Sequence, residues 1–120
     1  KSLLNQLHLE GTEEVTVGDL SHGQQQWLAI GMSLAAEPTL LLLDEPTAGM
    51  SQDETRLTSS IIQKLNHDGV TVVVIEHDME FIRNLNSTTS VLHYGQLFAQ
   101  GTFSEIEQND EVRRIYMGTL

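Results

Sequence analysis

The 120-residue sequence contains no cysteine. That excludes a disulfide framework, thiol catalysis and a Cys-ligated zinc site, and it fits a reducing compartment. Basic residues are scarce. Six Lys and Arg stand against seventeen Asp and Glu, a net charge of −11. Attraction to phosphate backbones or anionic lipid needs clustered Lys and Arg, so nucleic acid is not an expected partner. Long hydrophobic runs are missing as well. The longest are residues 40–43 and 72–75, far short of the roughly 20 apolar residues that cross a bilayer. Only two prolines occur, Pro38 and Pro46, and they flank one short apolar run without marking a domain boundary. No repeat, low-complexity segment or Gly/Ser/Pro linker is present. The opening Lys1-Ser2-Leu3-Leu4 lacks a small-residue cleavage pattern and a Met, so it reads as an internal position of a longer protein.

What is present suits one domain or part of one. Hydrophobic residues reach 39%, which is not a disordered composition. Residues 2–9 carry Leu3, Leu4 and Leu7 on one side and read as a short helix. Residues 11–19 read as loop. Ser21 with Gln24 three residues on has the capping-box spacing and announces a helix through Trp27, Leu28, Ile30, Met32, Leu34 and Ala35, which Pro38 stops. Leu40-Leu41-Leu42-Leu43 is a continuous apolar run, as expected of a strand covered on both faces. Ser51 with Glu54 makes a second capping box, opening a helix whose apolar face is Leu57, Ile61, Ile62 and Leu65. After Asp68-Gly69 comes a second strand at 70–75, rich in β-branched residues. Strand, helix, strand with short connections is a βαβ unit, so the two strands should be parallel. A further helix starts near Asp78 with Phe81, Ile82 and Leu85 inward. Residues 90–94 and 97–100 around Gly95-Gln96 read as a β-hairpin. Thr102 with Glu105 makes a third capping box, and Asn109 or Asp110 caps one more helix. Glu105, Glu107, Asp110 and Glu111 read as a solvated face.

The chemistry-bearing residues follow the two strands. One run finishes in Asp44-Glu45-Pro46, the other in Glu76-His77-Asp78. Ligands of open parallel sheets bind outside the carboxyl ends of the strands, so Asp44, Glu45 and His77 share one rim. A carboxylate directly after a strand suits a hydrated Mg²⁺ held through its waters. A second carboxylate beside it can orient or deprotonate a water, and the histidine can donate to a phosphate oxygen. Each residue alone also has an ordinary reading as turn, cap or structural histidine. The second feature is Leu20-Ser21-His22-Gly23-Gln24. A helix N-terminus favours anions, Gly23 permits close approach, and Ser21 and Gln24 add side-chain hydrogen bonds, although both could serve only as caps.

With these motifs together, the chain resembles the C-terminal half of an ATP-binding cassette (ABC) ATPase domain. LSHGQ at 20–24 is similar to the family's signature sequence. LLLLDE at 40–45 resembles the Walker B strand with its catalytic glutamate. Ala48-Gly49-Met50-Ser51 lies where the D-loop belongs, and His77 where the switch histidine belongs. The resemblance runs from about residue 20 to 117. It implies a partial P-loop NTPase-type (RecA-like) α/β three-layer sandwich with parallel strands, plus a C-terminal β-hairpin and helices. It implies residues 1–36 as the end of the helical subdomain and 37–120 as half of the catalytic core. The implied cofactors are ATP and Mg²⁺. Asp44 supports the metal, Glu45 polarises the hydrolytic water, and His77 contacts the γ-phosphate. Ser21, Gly23 and Gln24 reach the nucleotide of a partner subunit, while Gly49 and Ser51 lie at the dimer interface.

Three departures matter. His22 replaces the signature's second glycine, Ser51 replaces the D-loop aspartate, and no GxxxxGK[ST] P-loop occurs anywhere. The P-loop cradles the β- and γ-phosphates, so the 120 residues alone are expected neither to bind ATP tightly nor to hydrolyse it. AGM at 48–50 resembles importers for branched-chain amino acids and urea, and QQQWLAIGM, IEHDMEFI and the segment 114–118 resemble the urea type more. The implied partners are a second ABC ATPase subunit, as homo- or heterodimer, and transmembrane permease subunits. A periplasmic or extracellular substrate-binding protein acts indirectly. The implied location is cytoplasmic, peripheral on the inner face of the cell membrane. The other readings are a soluble ABC-type ATPase of translation or DNA repair, a degenerate non-catalytic interaction module, and a hydrolase with a direct metal site built from Asp44, Glu45, Glu76, His77 and Asp78.

Overall fold

The computed structural model describes residues 7–116. The chain divides into two compact units with the boundary between His77 and Asp78.

The first unit begins with turns and a short 3₁₀ segment, Val17–Asp19. The expected helix over residues 2–9 lies mostly outside the described residues. Of its last three residues, Leu7 and His8 are turn, with His8 at φ 56°. Helix α1, His22–Leu34, starts at the capping box read from the sequence. Ser21 Oγ accepts from Gln24 N, and Gln24 Oε1 accepts from Ser21 N. It ends at Ala35, three residues ahead of Pro38. Strand β1, Leu40–Asp44, leads through a loop to helix α2, Gln52–His67, opened by the Ser51–Glu54 capping box. Strand β2, Thr71–Ile75, pairs with β1 in parallel, with Leu41 opposite Val72 and Asp44 opposite Ile75. The βαβ expectation is therefore met.

The core lies on one face of this pair. Leu7, Leu9, Trp27, Ile30, Leu41, Ile61 and Leu65 form one buried cluster, with Leu43, Val70 and Val72 packed against it. Within this chain only one face of the strand pair is covered. On the opposite face Leu40, Leu42, Val73 and Ile75 are 51%, 68%, 47% and 61% exposed. Side chains alternate across a strand, and α1 and α2 cover only one side of this sheet. Met32, expected among the inward residues of α1, is exposed, and Leu57 of α2 is half-exposed.

The second unit opens with helix α3, Met79–Leu85. Asp78 caps it by accepting from Phe81 N, and Phe81 is buried. Strands β3, Thr88–His93, and β4, Gln96–Thr102, pair antiparallel. Their turn is Tyr94-Gly95, one residue earlier than the sequence reading. Both residues have positive φ, 51° and 75°, as a tight hairpin turn of the favoured hand needs. The Thr102–Glu105 capping box opens α4, Phe103–Glu107, and Asn109 Oδ1 accepts from Glu111 N and Val112 N at the head of α5, Asp110–Tyr116. The acidic surface cluster is partly paired. Glu107 meets Arg83 at 2.6 Å, and Glu111 pairs with Arg114.

A buried polar contact ties helices α1 and α2. Trp27 Nε1 donates to Thr58 Oγ1 at 2.8 Å, where Thr58 is fully buried, and Thr58 in turn donates to Glu54 O at 2.8 Å. Thr58→Val keeps the volume but strands the indole N–H. A buried donor left without a partner costs about 1–3 kcal/mol. Chemical denaturation should show a loss of that size, and an unchanged midpoint would mean that the indole finds another acceptor.

Candidate functional site

Strand β1 runs out at Asp44, and the next residue leaves the sheet sharply. Glu45 has φ 48°, a left-handed conformation that non-glycine residues rarely adopt. It also precedes Pro46, whose ring disfavours helical backbone at the preceding position. The conformation is held by pairing on both sides. Glu45 N donates to Ile75 O at 2.7 Å, extending the β1–β2 ladder, and Ala48 N donates to Glu45 O at 3.2 Å.

This backbone aims the Glu45 carboxylate at the end of β2. His77 Nε2 lies 2.6 Å from Glu45 Oε1. The two side chains are 78% and 45% exposed, so the contact contributes little to stability. Its interest is geometric. A carboxylate and an imidazole meet at the rim of two parallel strands, within reach of solvent. Asp44 is exposed on the same rim, at the last β1 position. A single exposed hard-oxygen ligand fits Mg²⁺, which keeps most of its waters. A five-residue metal cage does not form here. Glu76 is committed to Thr47, Asp78 caps α3, and no group of three ligating side chains converges among the described residues.

The second cluster gathers around the N-termini of α1 and α2. Ser21 and Gln24 cap α1 as described, and Gly23 is buried. Glu54, at the third position of α2, does more than cap its own helix. Its Oε1 accepts from Ser51 N at 3.1 Å, and its Oε2 accepts from Ser21 Oγ at 3.0 Å. A Cβ added to Gly23 would run into this carboxylate. A hydroxyl has one proton to give, and that of Ser21 goes to Glu54. His22 adds a second tie, with Nε2 2.9 Å from Ala48 O. Gly49, at φ 75°, lies against the same imidazole, which is 3.2 Å from where its Cβ would stand. Ser51 and Gly49 are thus drawn to Ser21, His22 and Gly23 within one chain.

The residues read from the sequence therefore fall into two clusters: Asp44, Glu45 and His77 at the strand ends, and Ser21, Gly23, Gln24, Gly49 and Ser51 at the helix starts. Sequence reading missed the linking roles of Glu54, His22 and Thr47. The Ser51–Glu54 spacing signalled a cap, but nothing local signalled a contact with Ser21, thirty-three residues away.

The sequence and the fold are both similar to known proteins. Residues 1–48 match the family model described as ABC transporter. The high-affinity branched-chain amino acid transport ATP-binding protein LivG of Salmonella typhimurium is 37% identical over 101 residues, covering 83% of this chain and 40% of the relative. The corresponding BraF of Pseudomonas aeruginosa is 34% identical over 116 residues, covering 96% and 46%. The chain thus spans less than half the length of these curated relatives. Among solved structures, the ADP conformation of MJ1267, an ATP-binding cassette of an ABC transporter, superposes with a TM-score of 0.89 at 27% identity, covering 98% of this chain and 48% of that one. A dimeric post-hydrolysis state of the cassette MJ0796, bound to ADP and Pi, gives 0.72 at 31% identity, covering 85% and 44%.

Glu54 carries a pH signature. The Ser51 backbone N–H holds its carboxyl below the ordinary value of 4.5, against the opposing effect of burial, and the Ser21 and Ser51 hydroxyls and the Gly23 N–H add to the lowering. A depressed folded-state value contributes stability above the unfolded value and loses it as pH falls through the folded one. Glu54→Gln should therefore lower the thermal midpoint at neutral pH. The gap to wild type should close as pH drops below 4.5. A gap that stays constant with pH would remove the charge from the explanation.

Proposed function

We propose, for a chain that belongs to the ABC transporter family, that it forms the second half of an ATP-hydrolysing importer subunit. The observation that carries this reading is the 2.6 Å meeting of Glu45 and His77 at the ends of two paired parallel strands. The roles follow from chemistry. Glu45 orients a water and takes its proton, while the His77 Nε2–H fixes the carboxylate and, once turned from it, can donate to a phosphate oxygen. Asp44 would hold magnesium through its waters. ATP, when bound, supplies the transferable γ-phosphoryl group. The phosphate cradle is not in this sequence, which has no P-loop. Residues 1–36 are read as the end of a helical subdomain and 37–120 as half of a catalytic core.

Ser21, Gly23 and Gln24 are read as a surface for the nucleotide of a second ATPase subunit, with Gly49 and Ser51 at that interface; the Ser21 hydroxyl, which here donates to Glu54, would have to turn from it to reach that nucleotide. No helix among the described residues is long and apolar enough to cross a membrane. Attachment to the inner face of the cell membrane is therefore assigned to permease partners. The names of LivG and BraF favour branched-chain amino acids as cargo and a transporter over a soluble ATPase of translation or DNA repair. Urea is the second reading, supported by the wording of residues 24–32 and 75–82. The intact Asp44-Glu45 pair and its contact with His77 speak against a degenerate interaction module.

The test uses the intact subunit, P-loop half included, in its transporter. Glu45→Gln should lower kcat by about 10²–10⁴-fold, the usual worth of a positioned acid or base, while nucleotide binding persists. The 120 residues alone should show neither tight ATP binding nor turnover. Hydrolysis that is indifferent to Glu45 would remove the reading.

A further inference from the structure

The left-handed backbone at Glu45 sits in a loop that something must hold, because such a conformation persists only where its surroundings over-determine it. The holding group comes from the other strand. Glu76 follows the last residue of β2, and its Oε2 accepts from both Thr47 Oγ1, at 2.5 Å, and Thr47 N, at 3.1 Å. Its second oxygen, Oε1, accepts from His77 N at 3.2 Å. Thr47 is buried and Glu76 half-buried, so these bonds are partly shielded from competing water. One carboxylate therefore grips the loop two residues after Glu45 with one oxygen. With the other it grips the backbone of His77.

We infer that Glu76 is a positioning residue, whose carboxylate clamps the Glu45 loop to the His77 backbone and so fixes the acid–imidazole pair. It rests on the reading above, in which Glu45 and His77 serve hydrolysis. Glu76 touches the reacting pair only through Thr47 and the main chain. Charge-assisted hydrogen bonds are the strong ones, and a carboxylate accepting from a hydroxyl and two amides is well suited to a rigid clamp. Glu76 contributes no proton and no metal ligand. Its effect is on where two other side chains stand, and a misplacement of about 1 Å can cost on the order of 10²-fold in rate.

Steady-state ATPase assays on the intact subunit in its transporter test this. Glu76→Ala should lower kcat by about 10–100-fold and leave the KM for ATP within about twofold. Glu76→Gln keeps an acceptor for Thr47 but sets an amide donor against the His77 N–H, so one grip survives and its rate should fall between those of wild type and Glu76→Ala. Thr47→Val, which removes the hydroxyl and keeps the shape, should lower kcat at least about fivefold at unchanged KM. If Glu76→Ala does not fold, the other two variants decide. Thr47→Val at wild-type kcat overturns the clamp. So does a Glu76→Gln rate as low as that of Ala, or a loss that appears in KM. Glu45→Gln runs alongside. If it abolishes turnover while the Glu76 and Thr47 variants do not, only the clamp fails. If Glu45→Gln is active, the function proposed above fails with it.

Discussion

The pairing of two short strands in parallel register is the constraint on which the rest of the first unit depends. Asp44 stands opposite Ile75, and Glu45 N continues the ladder by donating to Ile75 O. A parallel pair points both carboxyl ends the same way, so the residues that follow leave the sheet at one rim. Shift the register by one residue and side chains swap faces. Leu41 would then leave the core for the exposed side, and Glu45 would no longer meet His77. The register that buries Leu41 and Val72 beneath α1 and α2 is the same one that builds the acid–imidazole contact. Folding energy and site geometry are not separable here.

Much of this was legible because it is local. All three capping boxes, at Ser21, Ser51 and Thr102, form as their spacing required, since a cap involves residues three apart. The βαβ reading held because short connections between apolar strands leave few alternatives. Two kinds of feature were not legible. The first is burial that depends on what else is present. A continuous run such as 40–43 signals cover on both faces, but only one face is covered within this chain. The second is contact across sequence distance. Thr47 and Glu76 are twenty-nine residues apart, and Ser21 and Glu54 thirty-three. The sequence sets Glu76 beside His77 as a candidate metal ligand, and its reach to Thr47 leaves no local signal.

The two acidic side chains that sequence reading undervalued share a logic. Glu54 and Glu76 each spend a full charge on holding backbone and hydroxyl donors of another segment. In both cases the tie joins a loop to the head of a helix or the end of a strand. Such ties cost side-chain entropy and contribute modestly to stability, but they fix direction. The signature-like residues 20–24 are thereby tied to the segment 48–54 by two independent contacts, Ser21 with Glu54 and His22 with Ala48 O. The two segments are held together by these contacts. The histidine at position 22, a departure from the family pattern, takes part in this coupling directly.

The exposed apolar face and the acidic rim belong to one problem. Leu40, Leu42, Val73 and Ile75 expose a contiguous apolar surface that water disfavours. At the edge of the same sheet Asp44 stands exposed and Glu45 meets the His77 imidazole, in a chain of net charge −11. A triphosphate approaching that rim alone meets like charge, and no P-loop lysine or backbone cradle in this sequence offsets it. Solved relatives that superpose on nearly all of this chain are about twice its length. A segment that covers the apolar face and brings a phosphate cradle to the rim would resolve both deficits at once.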